Sequence, residues 1–150
     1  MNTDKKISRR EALKRMGFAV MSGAIASSGL LSLASCETKR SKRIIFYFTG
    51  TGNSLYIARQ LAGENAELLS IPQMVKRGKY EFEADEIGIV YPIYGHMPPY
   101  MVRQFIQKAK LKAEYKFAVL TYGARKCDAV EIWDRISRKA DNAFDYISTI

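Results

Sequence analysis

One stretch of the sequence combines a short apolar segment, a loop rich in glycine and hydroxyl groups, and the start of a helical pattern. Arg43 precedes the five apolar or aromatic residues 44–48, which predict a strand buried in a parallel sheet. In a strand–loop–helix unit, backbone N–H groups of the loop and of the first helical turn point at one place, where the helix dipole favours negative charge. The stretch therefore predicts an anion site, to which the hydroxyls of Thr49, Thr51 and Ser54 would add donors.

This loop differs from two common phosphate-binding motifs. It contains no lysine, whereas a Walker P-loop ends in Gly-Lys-Ser or Gly-Lys-Thr. Gly50 and Gly52 are followed by Leu55, where Gly-x-Gly-x-x-Gly would need a third glycine. A plain strand-to-helix turn without a ligand remains the alternative to a phosphate site.

In this setting the loop closely resembles the FMN-phosphate loop of flavodoxins. The resemblance implies that uncharged hydroxyls and backbone amides hold the ribityl phosphate of FMN. The cofactor-binding residues that it implies here are Thr49, Gly50, Thr51, Gly52, Asn53 and Ser54.

Strand and helix patterns alternate along residues 43–150, which predicts an α/β fold, a three-layer doubly wound parallel sheet. The predicted strands are 43–48, 67–71, 85–91, 116–120 and 144–150. Helices are predicted after residue 54, after Pro98 or Pro99 and from Ala129, with a possible short helix near 73–76. Their predicted inner faces consist of Leu55, Ala58, Leu61 and Ala62; Met101, Phe105 and Ala109; and Ala129, Trp133, Ile136 and Ala140.

The resemblance implies the flavodoxin-like strand order 2-1-3-4-5, with ligand loops at the carboxyl ends of strands one, three and four. Flavodoxin-like domains normally end with a helix after strand five, and this sequence shows no such helix pattern. We therefore expect that the last strand is partly uncovered, or that the protein continues or pairs with something.

Two further loops carry the resemblance. The resemblance implies that the loop after strand three flanks the isoalloxazine ring of FMN, with Tyr94 stacked on one face and Gly95 able to flip its peptide. It also implies that the loop after strand four covers the other face with Tyr122, and that the backbone of this loop forms hydrogen bonds with the pyrimidine edge of the ring. The residues implied are Pro92, Ile93, Tyr94, Gly95, Thr121, Tyr122 and Gly123. For Tyr94 and Tyr122, ordinary packing remains the alternative. His96 is expected to be a solvated loop residue, and a flavin-tuning or proton-donating role is its alternative. Tyr91 is expected in the strand core.

The first 35 residues predict a signal peptide that ends at a lipidated cysteine. Arg9 and Arg10 precede an apolar run that ends in small residues before Cys36; this resembles a twin-arginine signal with a lipobox. Residues 36–42 would then be a tether. A transmembrane anchor helix is the alternative for the apolar run, and a buried cysteine is the alternative for Cys36.

Charge and cysteine content narrow the function. The formal net charge is +9, and residues 1–35 contain six Lys or Arg and two acids, so +5 remains on the rest. No basic stretch interleaved with aromatic residues indicates nucleic-acid binding. Cys36 and Cys127 are the two cysteines, too few to hold an iron–sulfur cluster or a structural zinc alone.

The sequence thus predicts an exported electron-transfer protein of a bacterial cell, with FMN as cofactor and a lipid anchor in the membrane. Its expected partners are redox proteins or a membrane quinol system. Two alternatives stay open: an NAD(P)H- or quinol-dependent flavin reductase on the same fold, and a non-redox flavodoxin-like binding module.

Overall fold

The computed structural model describes residues 43–150. The predicted export signal at Arg9 and Arg10, the lipidation site at Cys36 and the tether 36–42 lie outside the described residues. The strands are β1 (Arg43–Tyr47), β2 (Ala66–Ser70), β3 (Glu81–Glu83), β4 (Glu86–Pro92), β5 (Lys110–Lys112), β6 (Tyr115–Thr121) and β7 (Tyr146–Thr149). The helices are α1 (Asn53–Ala62), α2 (Ile71–Arg77), α3 (Tyr100–Lys108) and α4 (Ala129–Lys139).

The central sheet has the order β2-β1-β4-β6-β7, and every neighbouring pair is parallel. These strands are the five predicted from the sequence, so the order 2-1-3-4-5 is confirmed. Residue 71 belongs to α2 rather than to the second strand, because the chain turns into a helix with a proline in its first turn, where proline fits.

Helices cover both faces of this sheet, as predicted. Along β4, the side chains of Ile87, Ile89 and Tyr91 belong to the larger core, which also contains buried residues of α2, α3 and α4. Val90 points the other way and packs with Ala58 and Ala62 of α1, as the two-residue period of a strand requires. The sheet is therefore the middle of three layers.

Gly88 is required by packing inside β4. A Cβ built on Gly88 would lie 2.5 Å from the ring of Phe117 and 2.7 Å from the side chain of Ile45. Real Cβ atoms do not approach other atoms so closely in a dense core, so a larger residue here would force both neighbours to move.

The inner face of α3 differs from the prediction. Met101 is 41% exposed, whereas Val102 and Ile106 are fully buried together with Phe105. The spacing 101, 105, 109 is helical, but the spacing 102, 105, 106, 109 describes a wider apolar stripe that fits a core-facing helix better.

A second, two-stranded parallel sheet pairs β3 with β5 and was not predicted. Each strand has three residues, with one buried apolar side chain, Phe82 or Leu111, between charged neighbours. Lys110 forms an ion pair with Glu81 at 2.7 Å across the two strands, and this interaction lowers the pKa of the Glu81 carboxyl. Strands this short give no periodic signal in a sequence.

None of the helices within residues 43–150 has the length and apolar character needed to cross a membrane. Within residues 43–150 no helix follows β7, and β7 is an outer strand of the five-stranded sheet.

Candidate functional site

Three loops meet at the carboxyl ends of β1, β4 and β6, which are adjacent in the sheet. Backbone hydrogen bonds continue past the strand ends and fix the loops beside each other. The N–H of Phe48 donates to the carbonyl of Val90 at 2.9 Å, and the N–H of Ile93 donates to the carbonyl of Thr121 at 2.8 Å. This end of a parallel sheet is where ligands bind in open α/β folds.

The loop after β1 presents a set of unpaired backbone donors. Helix α1 begins at Asn53, and the N–H of Tyr56, which donates to the carbonyl of Gly52 at 2.9 Å, makes the first helical hydrogen bond. Within residues 43–150, six N–H groups of this loop and first turn have no protein acceptor: those of Thr49, Gly50, Thr51, Asn53, Ser54 and Leu55. Such a group of donors at the positive end of a helix dipole favours an anion.

Thr49 and Gly52 give this loop its shape. Gly52 adopts a left-handed conformation with φ 98°, which glycine reaches without a steric penalty. Its N–H donates to Oγ1 of Thr49 at 2.8 Å. The Thr49 hydroxyl therefore supports the turn and keeps its own proton available for a further acceptor.

Ser54 connects the first loop to the third. Its Oγ lies 2.8 Å from Oγ1 of Thr121, and the two residues are only 1% and 8% exposed. Each hydroxyl can donate and accept, so one hydrogen bond between them leaves a proton or a lone pair for a ligand.

The loop after β4 is a tight hairpin. Tyr94 and Met97 exchange two backbone hydrogen bonds, at 3.0 and 3.1 Å, and Gly95 and His96 between them have φ values of 54° and 72°. Two central residues with positive φ define a type I′ turn. The predicted peptide flip at Gly95 is therefore placed at a position that glycine favours.

A polar contact joins this hairpin to the loop before α4. His96 Nδ1 lies 3.2 Å from Oδ1 of Asp128, and both side chains are more than half exposed, at 57% and 63%. His96 is thus exposed, as expected for a solvated loop residue. Its contact with Asp128 is an addition to that prediction, since residues 32 apart in sequence give no signal of pairing. Exposed pairs of this kind stabilise a fold only weakly.

Tyr94 lies across the first loop. A Cβ built on Gly50 would be 2.6 Å from the Tyr94 hydroxyl oxygen, so the ring reaches from the hairpin to the glycine. The side chain is still 52% exposed. A half-exposed aromatic ring beside backbone donors provides a surface on which a flat ligand can stack.

The loop after β6 supplies the opposite side. Tyr122 is 39% exposed, and its N–H donates to the carbonyl of Ile150 at 3.0 Å. That N–H is therefore already used within the protein. The N–H of Gly123 has no protein acceptor within residues 43–150, which makes it the nearest backbone donor available for the edge of a ring system.

These three loops enclose a depression of about 230 Å³. Every residue that lines it belongs to the predicted site, whereas Gly52 and Gly95 are predicted members that lie outside the lining. No charged side chain takes part in the lining, so backbone and hydroxyl groups define its polarity. The lining consists of Thr49, Gly50, Thr51, Asn53, Ser54, Pro92, Ile93, Tyr94, Thr121, Tyr122 and Gly123.

A larger depression of about 450 Å³ lies near Arg43, Gly63 and Glu86. It is at the amino ends of β1 and β4, where residues 43–150 contribute no loop of unpaired N–H groups at the start of a helix. The smaller depression is the stronger candidate, because its position and its donors both match a ligand site.

The comparisons with known proteins agree with this fold. A flavoprotein from Lactobacillus acidophilus, solved in complex with FMN, superposes with a TM-score of 0.53 at 12% identity, over 73% of this chain and 93% of that one. The two-electron reduced flavodoxin of Megasphaera elsdenii gives a TM-score of 0.53 at 16% identity, over 71% of this chain and 84% of its own. No family model matches the sequence, and a search of curated proteins finds no match. The chain therefore has a flavodoxin-like fold.

Proposed function

We propose that this protein binds FMN and transfers electrons. The observation that carries the proposal is the group of unpaired N–H donors in residues 49–55. The loop that provides most of them lines the same depression as Tyr94 and Tyr122. Solved neighbours of the fold include a protein in complex with FMN and a flavodoxin, which supports FMN as the cofactor.

Different residues of the site would bind the phosphate and the ring of FMN. The hydroxyls of Thr49 and Thr51 and the N–H groups beside them would hold the phosphate, whose negative charge matches the start of α1. Tyr94 and Tyr122 would contact the two faces of the ring, and the N–H of Gly123 would meet its polar edge. Bound FMN supplies one- or two-electron chemistry, while the protein sets its surroundings and access.

The proposed site lies in a protein that we also propose to be exported. The support is the sequence: Arg9 and Arg10 before an apolar run, and Cys36 after small residues. Lipid on Cys36 would tether the domain outside the cytoplasm, within reach of redox proteins or a membrane quinol system as electron donors or acceptors. Mass spectrometry of the membrane fraction tests this part, since a Cys36→Ser variant would lose both lipid and membrane attachment.

Comparing FMN with riboflavin tests the cofactor and the phosphate cradle together. We expect the purified protein to show flavin absorption bands that persist through desalting after incubation with FMN. Riboflavin lacks the phosphate, and loss of several charge-assisted hydrogen bonds predicts binding at least about 100-fold weaker. A folded protein that binds neither flavin would contradict the proposal.

A non-redox binding module is the second candidate. The Tyr94 side chain extends over Gly50, and the Tyr122 N–H is already bonded to the carbonyl of Ile150. The protein itself therefore covers one glycine of the site and uses one of its backbone donors. This candidate predicts a colourless protein that takes up no flavin, even after refolding in its presence. The flavin reductase alternative predicts hydride transfer from NADPH to the flavin-loaded protein.

A further inference from the structure

A groove between α3 and α4 is separate from the depression described above. It has a volume of about 390 Å³, within the range of small-molecule sites. Met97, at the end of the hairpin, is part of its lining. The lining consists of Met97, Arg103, Gln107, Ile136, Lys139 and Ala140.

Arg103 is the unusual member of this lining. Its Nε is buried and has no hydrogen-bond partner. Its guanidinium carbon lies 5.9 Å from the centre of the Tyr100 ring, a contact that does not satisfy the N–H. A partly buried charged group without a hydrogen bond is costly. The terminal N–H groups of Arg103 have no acceptor within residues 43–150 and are not among the buried atoms, so they can take an acceptor from outside the protein.

The two charged residues that line the groove, Arg103 and Lys139, are both positive. Lys139 is exposed at the end of α4, and no acidic residue takes part in the lining. Within residues 43–150, neither Arg103 nor Lys139 forms an ion pair. Of the acids near this end of α4 in sequence, Asp134 is already bound to Arg138 at 2.8 Å, and Asp141, directly after Ala140, is exposed and outside the lining.

The rest of the lining is mainly apolar. Met97, Ile136 and Ala140 are each partly buried and provide no charged group. A ligand that satisfies both parts has a single anionic head for Arg103 and an apolar body for these three residues. A carboxylate fits the head, because the planar guanidinium of arginine binds it with well-matched geometry.

We propose that this groove is a second binding site, which takes a small apolar carboxylate such as a short fatty or aryl acid. Met97 is joined to Tyr94 by two backbone hydrogen bonds, so a ligand against Met97 contacts the hairpin that also borders the first site. The proposal does not rest on FMN binding, because none of the groove residues lines that site.

Methyl NMR of the full chain with labelled methionine tests the proposal, with hexanoate as the probe and 1-hexanol as its uncharged match. We expect hexanoate to shift the Met97 methyl signal, and hexanol at equal concentration to leave it in place. Met101 is exposed on α3 outside the groove and should not respond. Met74, 2% exposed in the core, reports whether each variant keeps its fold.

Three variants test which positive side chain binds the carboxylate of hexanoate. Arg103→Met should weaken hexanoate binding at least about tenfold, as expected for loss of a charge-assisted hydrogen bond, and Lys139→Met should weaken it less. Arg135→Met removes an exposed cation of α4 that lies outside the lining and should have no effect. The titration is run without FMN and with it, so failure of the first site does not obscure this one.

Three results would overturn the proposal. Equal shifts with hexanol and hexanoate would reduce the groove to an apolar crevice, and unchanged hexanoate binding in Arg103→Met would remove the role of its charge. A silent Met97 signal with hexanoate, together with a shift caused by an acidic peptide, would assign the groove to a protein partner instead.

Discussion

The hydroxyls of Ser54 and Thr121 lie 2.8 Å apart in a nearly solvent-free position. Ser54 is in the first turn of α1, and Thr121 ends β6, so this hydrogen bond fixes the distance between the proposed phosphate loop and the loop on the other side of the depression. The two sides of the site are thus held together before any ligand arrives.

Ser54→Ala should destabilise the protein by about 1–2 kcal/mol, because the Thr121 hydroxyl would remain buried without a partner. Thr121→Val should cost a similar amount, and the double variant less than the sum of the two. Urea unfolding without flavin measures all three. Thr51→Val is the control: Thr51 is exposed in the same loop, so its change should stay within about 0.5 kcal/mol. Additive costs in the double variant would contradict the coupling.

Gly50→Ala should destabilise the flavin-free protein by about 1 kcal/mol, since the new methyl group would meet the Tyr94 hydroxyl and displace that ring. In a Tyr94→Ala background the same change should cost much less, and urea unfolding of the four proteins measures the difference. Gly123→Ala is the matched control in the same lining, because a Cβ there meets no atom within 4 Å. An equal cost of Gly50→Ala in both backgrounds would show that Tyr94 is not the cause.

The positive charge of the loop after β6 should raise the reduction potential of the proposed flavin. Arg125 and Lys126 are exposed beside Tyr122 and Gly123, and positive charge favours the reduced, anionic flavin. The double change Arg125→Glu/Lys126→Glu should therefore make the potential of the second electron more negative by roughly 40 mV or more. Potentiometric titration at low and high salt measures it, and salt should shrink the difference. An unchanged midpoint potential would contradict the prediction.

The parallel sheet and the edge at which the loops lie could be predicted, because both follow from the alternation of strands and helices in the sequence. The strand order itself came from the resemblance to flavodoxins. Parallel strands joined by helices place all their carboxyl ends at one edge, so the three loops had to meet there once the strands were identified. Tyr91 was expected in the core, and it is fully buried, because its strand is apolar on both faces. Apart from the strand order, these conclusions need only local patterns and general rules of connection.

The remaining features depend on tertiary packing that no local pattern encodes. The position of Tyr94 over Gly50 depends on how the hairpin packs against the loop after β1. The Tyr122 N–H donates to the carbonyl of Ile150, which is 28 positions later in the sequence. Met101 is a different case, because two helical spacings in the sequence share Phe105. The wider apolar stripe that contains Val102 and Ile106 was available in the sequence, and it is the one that the structure buries.

Tyr91 offers a test of the core beneath the site. It is fully buried, its ring centre lies 4.9 Å from that of Trp133, and its hydroxyl has no hydrogen-bond partner. A buried hydroxyl without a hydrogen bond lowers the free energy of unfolding, and phenylalanine has no such group. Tyr91→Phe should therefore stabilise the protein by about 1 kcal/mol near neutral pH. Tyr115→Phe, where the side chain is 41% exposed, should change stability by less than about 0.5 kcal/mol.

The effect of Tyr91→Phe should also depend on pH. Burial raises the pKa of the Tyr91 hydroxyl well above its ordinary value, so above about pH 10 the unfolded chain releases a proton that the folded protein keeps. Ionisation of Tyr91 in the unfolded chain therefore leaves the free energy of unfolding unchanged below that pH and lowers it increasingly above it. The advantage of Tyr91→Phe should thus grow between pH 7 and about pH 10.5, as measured by urea unfolding against Tyr115→Phe. A constant advantage would mean that the hydroxyl reaches solvent in the folded protein and ionises there as it does in the unfolded chain.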